Sequence, residues 1–130
     1  MGEIIINSLQ IEQLLSCLEF IFKTKPNKIK NETRFTFNND VGVGFISVFP
    51  INTELVQVHA NFSLHNELSL NIFNFKLNGL NFIYSTQGNF TYKIGKNTYF
   101  FNSEENCNLV VNTTIKSIES IILPAHTKIE

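Results

Sequence analysis

The chain has 130 residues, of which 43% are hydrophobic and 16% are charged, and this balance predicts one folded domain instead of a disordered polymer. Its net charge of −1, with Arg34 as the one arginine, lacks the basic surplus that direct contact with a nucleic-acid backbone requires. The longest uncharged apolar run, residues 41–53, contains Pro50 and falls short of the roughly 18 residues of a membrane-spanning helix. We therefore expect a soluble protein with no membrane partner.

The N-terminal region predicts an amphipathic helix over about residues 8–23. Asn7 and Gln10 have the spacing of a capping-box pair. Apolar side chains then recur at three- and four-residue intervals, as one buried face of a helix requires, at Ile11, Leu14, Leu15, Leu18 and Phe22.

The N-terminus and the cysteines predict a cytoplasmic location. The first residues carry glutamates and no basic group, unlike a secretory signal. Cys17 and Cys107 are too few for a disulfide framework, and we expect both to be reduced.

Residues 23–34 are polar, contain Pro26, and predict a loop after the helix. Half of the ten basic residues lie in this stretch: Lys23, Lys25, Lys28, Lys30 and Arg34. Such a run is either a patch that binds phosphate or a partner, or a solvated loop, and the second explanation is the commoner one.

From Thr33 onward the apolar residues follow a period of two, which predicts that the remainder is β. Predicted strands cover residues 33–38, 41–49, 56–64, 68–77, 80–86, 90–94, 98–101, 109–113 and 115–123. In 56–64 every second residue is apolar, so we expect one face of that strand to be buried.

Turn signals indicate how these strands connect. Hairpin turns are predicted at Asn78-Gly79 and Gly95-Lys96. The apolar parity shifts near Ile72, as a β-bulge or a strand crossing between two sheets would produce. Short strands at this spacing predict a mostly β fold, a small barrel or sandwich preceded by one helix.

The sequence offers no catalytic group. It has no Gly-x-Ser-x-Gly motif, Cys17 lies among apolar residues, and Cys107 has no neighbouring histidine. The adjacent Glu104 and Glu105 do not suit an acid/base pair. We therefore predict that the protein is not an enzyme.

The histidines give a weak metal hypothesis. His59 and His65 are six residues apart, which separates them by about 20 Å on an unbroken strand and prevents them from sharing an ion. His65 and Glu67, with His126 from the far end of the chain, are the alternative ligand set. Polar side chains on half-exposed strands explain these residues better, so we predict no metal and no cofactor.

Thirteen phenylalanines and three tyrosines lie in this small β domain, and core packing accounts for most of them. Tyr84, Tyr92 and Tyr99 carry hydroxyls on predicted strands, and aromatic walls with a few polar groups are typical of small-molecule pockets. We name these three tyrosines, with His59 and His65, as candidate ligand-binding residues.

The second half of the chain has a distinctive order of features. A strand ending GLNFIYS leads to the hairpin GNFTYKIGKNTYFF, then to SEENCNLVVN and the closing IILPAHTKIE. In this order residues 76–130 resemble the cupin-type N-terminal sensor domain of AraC-family transcription regulators, in particular the siderophore-responsive branch. Two departures are the SEENC turn, where cupin-like domains usually carry a glycine, and the absence of the paired metal histidines of enzymatic cupins.

The resemblance implies a cupin-like β-barrel that binds a small-molecule effector or pairs two copies as a homodimer. Members of that family carry helix-turn-helix units after the barrel, so DNA would be contacted through a C-terminal part absent from this chain. The alternatives are a stand-alone cupin-like protein that binds a small molecule or a metal, and a structural interaction domain without a cavity.

Overall fold

The computed structural model describes residues 2–6, 11–51, 56–73, 79–102, 108–113 and 118–130, and these contain one helix and twelve strands. In chain order they are β1 (Gly2–Ile6), α1 (Ile11–Phe22), β2 (Asn27–Ile29), β3 (Glu32–Asn38), β4 (Gly42–Pro50), β5 (Val56–Leu64), β6 (Leu68–Phe73), β7 (Gly79–Tyr84), β8 (Asn89–Ile94), β9 (Asn97–Asn102), β10 (Asn108–Thr113), β11 (Ile118–Leu123) and β12 (Lys128–Ile129).

The predicted helix is confirmed over the part that the structure describes. It packs on the sheet through Leu18, Ile21 and Phe22, which are all buried. The ring of Phe22 lies 4.8 Å from that of Phe37 and 5.9 Å from that of Phe62. The start predicted at about residue 8 falls outside the described residues.

Asn39 holds the C-terminal end of this helix against the turn that joins β3 to β4. Its Nδ2 donates to the carbonyl oxygens of Phe22 at 2.8 Å and of Lys23 at 3.3 Å. Its Oδ1 accepts from the backbone N–H of Val41 at 2.9 Å. One side chain therefore satisfies two carbonyls that a helix end leaves without intrahelical partners.

The loop predicted for residues 23–34 is wrong in part, because Asn27–Ile29 forms β2. This strand pairs with β3 across a two-residue turn at Lys30-Asn31, where Lys30 adopts a φ of 54°. All three residues of β2 are exposed, so no apolar alternation marks it in the sequence. Lysines beside a short edge strand discourage pairing with other chains.

Two open five-stranded sheets and one two-stranded sheet carry the described strands. Sheet I has the order β12-β5-β4-β3-β2 and sheet II the order β1-β6-β11-β8-β9, while β10 pairs with β7. All pairs are antiparallel except β1 with β6. The mostly β prediction is confirmed, but the strands of the described ranges close no barrel.

The hairpin predicted at Asn78-Gly79 lies largely outside the described residues, because residues 74–78 are not among them. Within the described part, β7 pairs with β10. Both edges of β6 are occupied, one by β1 and the other by β11, so the described part of the predicted strand 68–77 does not pair with β7. The register of β6 on β11 is regular from Leu68 to Phe73, which also excludes a bulge at Ile72. The predicted hairpin at Gly95-Lys96 is confirmed.

One core cluster joins α1 to the inner faces of both sheets. Sheet I contributes Phe35, Ile46, Val48 and others, and sheet II contributes Leu68 and Leu123. The prediction that one face of residues 56–64 is buried holds only for the second half of β5. Val56 and Val58 are 40% and 52% exposed, because the core cluster reaches along β5 only as far as Ala60.

Candidate functional site

The outer face of sheet I carries a row of functional side chains. Arg34 on β3 is directly opposite Ser47 on β4, which is directly opposite His59 on β5. Directly paired residues of antiparallel strands share a face. Phe35 and Ile46, the next residues along, are buried on the inner face, so this row faces outward.

We call this row and its contacts the Arg34 cluster. It comprises Glu32, Arg34, Phe45, Ser47, His59, Asn61 and Glu130, and each member contacts another member.

Arg34 is held in one orientation by three contacts. Its Nε donates to Glu32 Oε1 at 2.9 Å and to Ser47 Oγ at 3.0 Å. Its Cζ lies 4.3 Å from the centroid of the Phe45 ring, within the range of a cation–π contact. The side chain is nevertheless 44% exposed.

Ser47 is the buried centre of the cluster, with no exposed surface. Its hydroxyl donates to Glu32 Oε1 at 2.7 Å while it accepts from Arg34 Nε. Donation from Ser47, followed by the hydrogen bond and the charge of Arg34, lowers the pKa of the Glu32 carboxyl below its usual 4.5. Glu32 therefore stays ionised and keeps Arg34 in place.

His59 approaches the same phenylalanine from the other neighbouring strand. Its ring meets that of Phe45 edge-on, with centroids 5.4 Å apart and planes at 81°. Its Nε2 is 3.8 Å from Glu130 Oε1, and Glu130 Oε2 accepts from Asn61 Nδ2 at 3.0 Å. Arg34 and His59 thus converge on Phe45 from β3 and β5.

The cluster leaves the two terminal nitrogens of Arg34 available. Its described contacts with the protein use Nε and the flat face of the guanidinium, and neither Nη is among them. The two Nη groups form a planar pair of donors that matches the two oxygens of a carboxylate or phosphate. This arrangement can bind an oxyanion beside an aromatic surface.

Of the predicted ligand-binding residues, the structure places only His59 in this cluster. Tyr92 is 2% exposed and lies in the core of sheet II with Phe101. Tyr99 is directly opposite Tyr92 and is 40% exposed. The two belong to one β hairpin but line no pocket that the structure describes. The side chain of Tyr84 lies outside the described side chains.

His65 lies apart from the cluster, in the turn after β5, where its backbone N–H donates to the carbonyl of Val41 at 2.9 Å. The backbone of His126 is nearby, since it donates to the carbonyl of Leu64 at 2.8 Å. Within the described residues, however, no three His, Cys, Asp or Glu side chains are grouped as metal ligands would be, so His65, Glu67 and His126 are not assembled into a site.

Sequence reasoning missed Phe45 and Ser47, and counted Arg34 only as part of a basic run. A signal was present, because Ser47 and His59 each stand between two apolar residues on their own strands and Arg34 directly precedes Phe35. Only the register between strands shows that the three are adjacent.

Comparison with protein-family models, with curated proteins and with solved structures finds no match to this chain. No helix in the described part of the chain is long and apolar enough to cross a membrane.

Proposed function

We propose that this chain is a non-enzymatic recognition domain that binds the carboxylate of a small organic molecule on the Arg34 cluster. The observation that supports this is the guanidinium of Arg34, which three described contacts hold in place and whose two Nη groups are in none of those contacts. A preoriented arginine loses little conformational entropy when it binds, which favours ligand recognition.

The class of ligand follows from the surroundings of the guanidinium. Phe45 and His59 provide an aromatic surface beside it, which suits the apolar body of an organic acid better than a free inorganic ion. Glu32 and Glu130 bring negative charge to the same face and weaken the attraction for a highly charged anion. We therefore expect a monocarboxylate to bind more tightly than phosphate.

The test is an amide NMR titration with three probes, namely benzoate, its uncharged analogue benzamide, and inorganic phosphate. Benzoate is expected to shift the amides of Arg34, Phe45 and His59, and benzamide is not. Arg34→Gln should weaken benzoate binding about fivefold, because it removes charge-assisted bonds at a half-exposed site. Arg34→Lys should bind benzoate more tightly than Arg34→Gln but more weakly than the parent, since lysine keeps the positive charge but lacks the planar pair of donors.

Lys28→Gln is the matched control. Lys28 lies on β2, opposite the inward-facing Thr33, so the substitution removes one positive charge without changing the outer face of sheet I. Its affinity for benzoate should stay within about twofold of the parent. Equal binding of benzoate to Arg34→Gln and parent would refute the proposal, and so would equal shifts from benzamide. Phosphate binding more tightly than benzoate would contradict the organic-acid class.

A narrower form of this proposal is that the ligand is the effector of an AraC-type regulator, of which this chain would be the sensor domain and a dimerisation surface. The resemblance of residues 76–130 supports it. This form predicts that the natural gene continues past Glu130 with two helix-turn-helix patterns. A stop codon at that point, with no DNA-binding gene beside it, would count against the regulator and leave the carboxylate site untouched.

A further inference from the structure

A cleft of about 390 Å³ opens at one end of sheet II. Four strands terminate there, because β6 begins at Leu68 opposite the last residue of β11, Leu123, and β8 begins at Asn89 opposite the last residue of β9, Asn102. Glu67 immediately precedes β6 and Pro124 immediately follows β11, and both line the cleft. The cleft is therefore built by strand ends that the sheet holds together.

Three phenylalanines line this cleft. Phe90 and Phe101 are cross-strand partners whose rings stack at 4.4 Å with planes 6° apart. Phe100, on the opposite face of β9, also lines the cleft and is 68% exposed. The exposed ring of Phe100 gives a planar ligand a surface on which to stack.

The charged group in the lining of the cleft is negative. Glu67 is the charged residue of its lining, whose other polar residues are Asn89, Thr91 and Asn102. A carboxylate accepts hydrogen bonds and attracts cations, and an aromatic face attracts cations as well. The same groups disfavour an anion.

We infer that this cleft binds a planar organic cation, stacked on Phe100 with its positive group directed to Glu67. The inference goes beyond the proposed function and does not rest on it, because the cleft shares no residue with the Arg34 cluster. The ligand inferred for the cleft is a cation, whereas the ligand proposed for the Arg34 cluster is an anion.

Benzamidine is the probe, with benzamide and benzoate as uncharged and anionic analogues of nearly the same shape. Amide NMR titrations of the whole chain follow Asn89, Thr91 and Asn102. Benzamidine should shift these amides with an affinity on the order of millimolar, as expected for so small a molecule. Benzamide should bind at least about threefold more weakly, and benzoate should not shift these residues.

Two variants test the two contacts separately. Glu67→Gln should weaken benzamidine about threefold to fivefold and leave benzamide unchanged, because it removes charge alone from an exposed side chain. Phe100→Leu should weaken both ligands, because it keeps an apolar side chain and removes the ring. Both residues are exposed, so folding should survive each change.

The matched controls lie on the exposed side of α1. Glu19→Gln and Phe20→Ala remove the same kinds of group from that surface, where Phe20 is 78% exposed, and should not alter benzamidine binding. Unchanged benzamidine affinity in Glu67→Gln overturns the inference. Shifts spread over the chain, or benzoate binding in the cleft as tightly as benzamidine, would overturn it as well. Loss of benzoate binding at Arg34 would leave this result unaffected, so the two sites fail independently.

Discussion

The guanidinium of Arg34 lies over the ring of Phe45, with Cζ 4.3 Å from the ring centroid. The contact is diagonal, because the residue directly opposite Arg34 is Ser47 and Phe45 lies two positions along β4. A slip of one residue between β3 and β4 would turn Phe45 and Ser47 to the other face. The orientation of Arg34 therefore depends on the register of these two strands.

Ser47→Ala should destabilise the fold by about 1–2 kcal/mol, because it leaves Glu32 and Arg34 without a buried partner. Urea denaturation measures the change. Ser63→Ala is the control on the neighbouring strand, since Ser63 faces the same side and its side-chain hydroxyl makes no described hydrogen bond. Its cost should stay below about 0.5 kcal/mol. Equal costs for the two substitutions would show that the Ser47 hydroxyl has no special part in the cluster.

Stability should fall with acid in a way that Glu32→Gln removes. The pKa of Glu32 is lowered in the folded state by its hydrogen bond from Ser47 and by Arg34, so ionised Glu32 favours folding above its usual 4.5. That contribution is lost as the pH falls below 4.5 and through the lowered value. Thermal midpoints of parent and Glu32→Gln should therefore differ at neutral pH and converge in acid. A difference that grows on acidification would contradict the sign of the shift.

The lowered pKa of Asp40 should also make the folded protein less stable as the pH falls. Its carboxylate accepts a hydrogen bond from Lys23 Nζ at 2.8 Å, and this bond and the lysine charge lower its pKa below the usual 3.8. Both side chains are well exposed, so Asp40→Asn should have a small effect that 1 M salt abolishes. An effect that persists in salt would require a source other than this ion pair.

Gly44→Ala should be far more damaging than Gly95→Ala. Gly44 has a φ of 143°, and an added Cβ would lie 2.2 Å from the carbonyl oxygen of Asn61 and 2.5 Å from the Cα of Phe62. Backbone atoms must move to admit it, so we expect a loss of about 3 kcal/mol or more. Gly95 also has a positive φ, 55°, but a Cβ there meets nothing within 4 Å. Its cost should be about 1–2 kcal/mol, and comparable denaturation midpoints for the two variants would refute the clash.

Two phenylalanines of α1 test how the helix is attached. Phe22 is 1% exposed and packs on Phe37 and Phe62, so Phe22→Ala should cost about 3–5 kcal/mol. Phe20 is 78% exposed, and Phe20→Ala should change the free energy of unfolding by less than about 0.5 kcal/mol. A large effect at Phe20 would mean that another surface covers it.

The sequence by itself determined the local structure of this protein. The change from a helical period to a period of two placed α1 and most strands near their observed bounds, because amphipathic periodicity reflects which side chains each element must bury. The Gly95-Lys96 turn could also be predicted, since a glycine there adopts the positive φ that the tight turn needs. Strands without apolar alternation, such as β2, could not be predicted from this pattern.

Only the tertiary structure decided which strands are neighbours. The strands β6 and β7 are consecutive in the chain, yet β6 pairs with β1 and β11 while β7 pairs with β10. The β propensity of a single strand does not determine such partners. The same holds for the Arg34 cluster. Arg34, Ser47 and His59 come from three strands, and their adjacency follows from register, a property of non-local pairing that no single stretch of sequence contains.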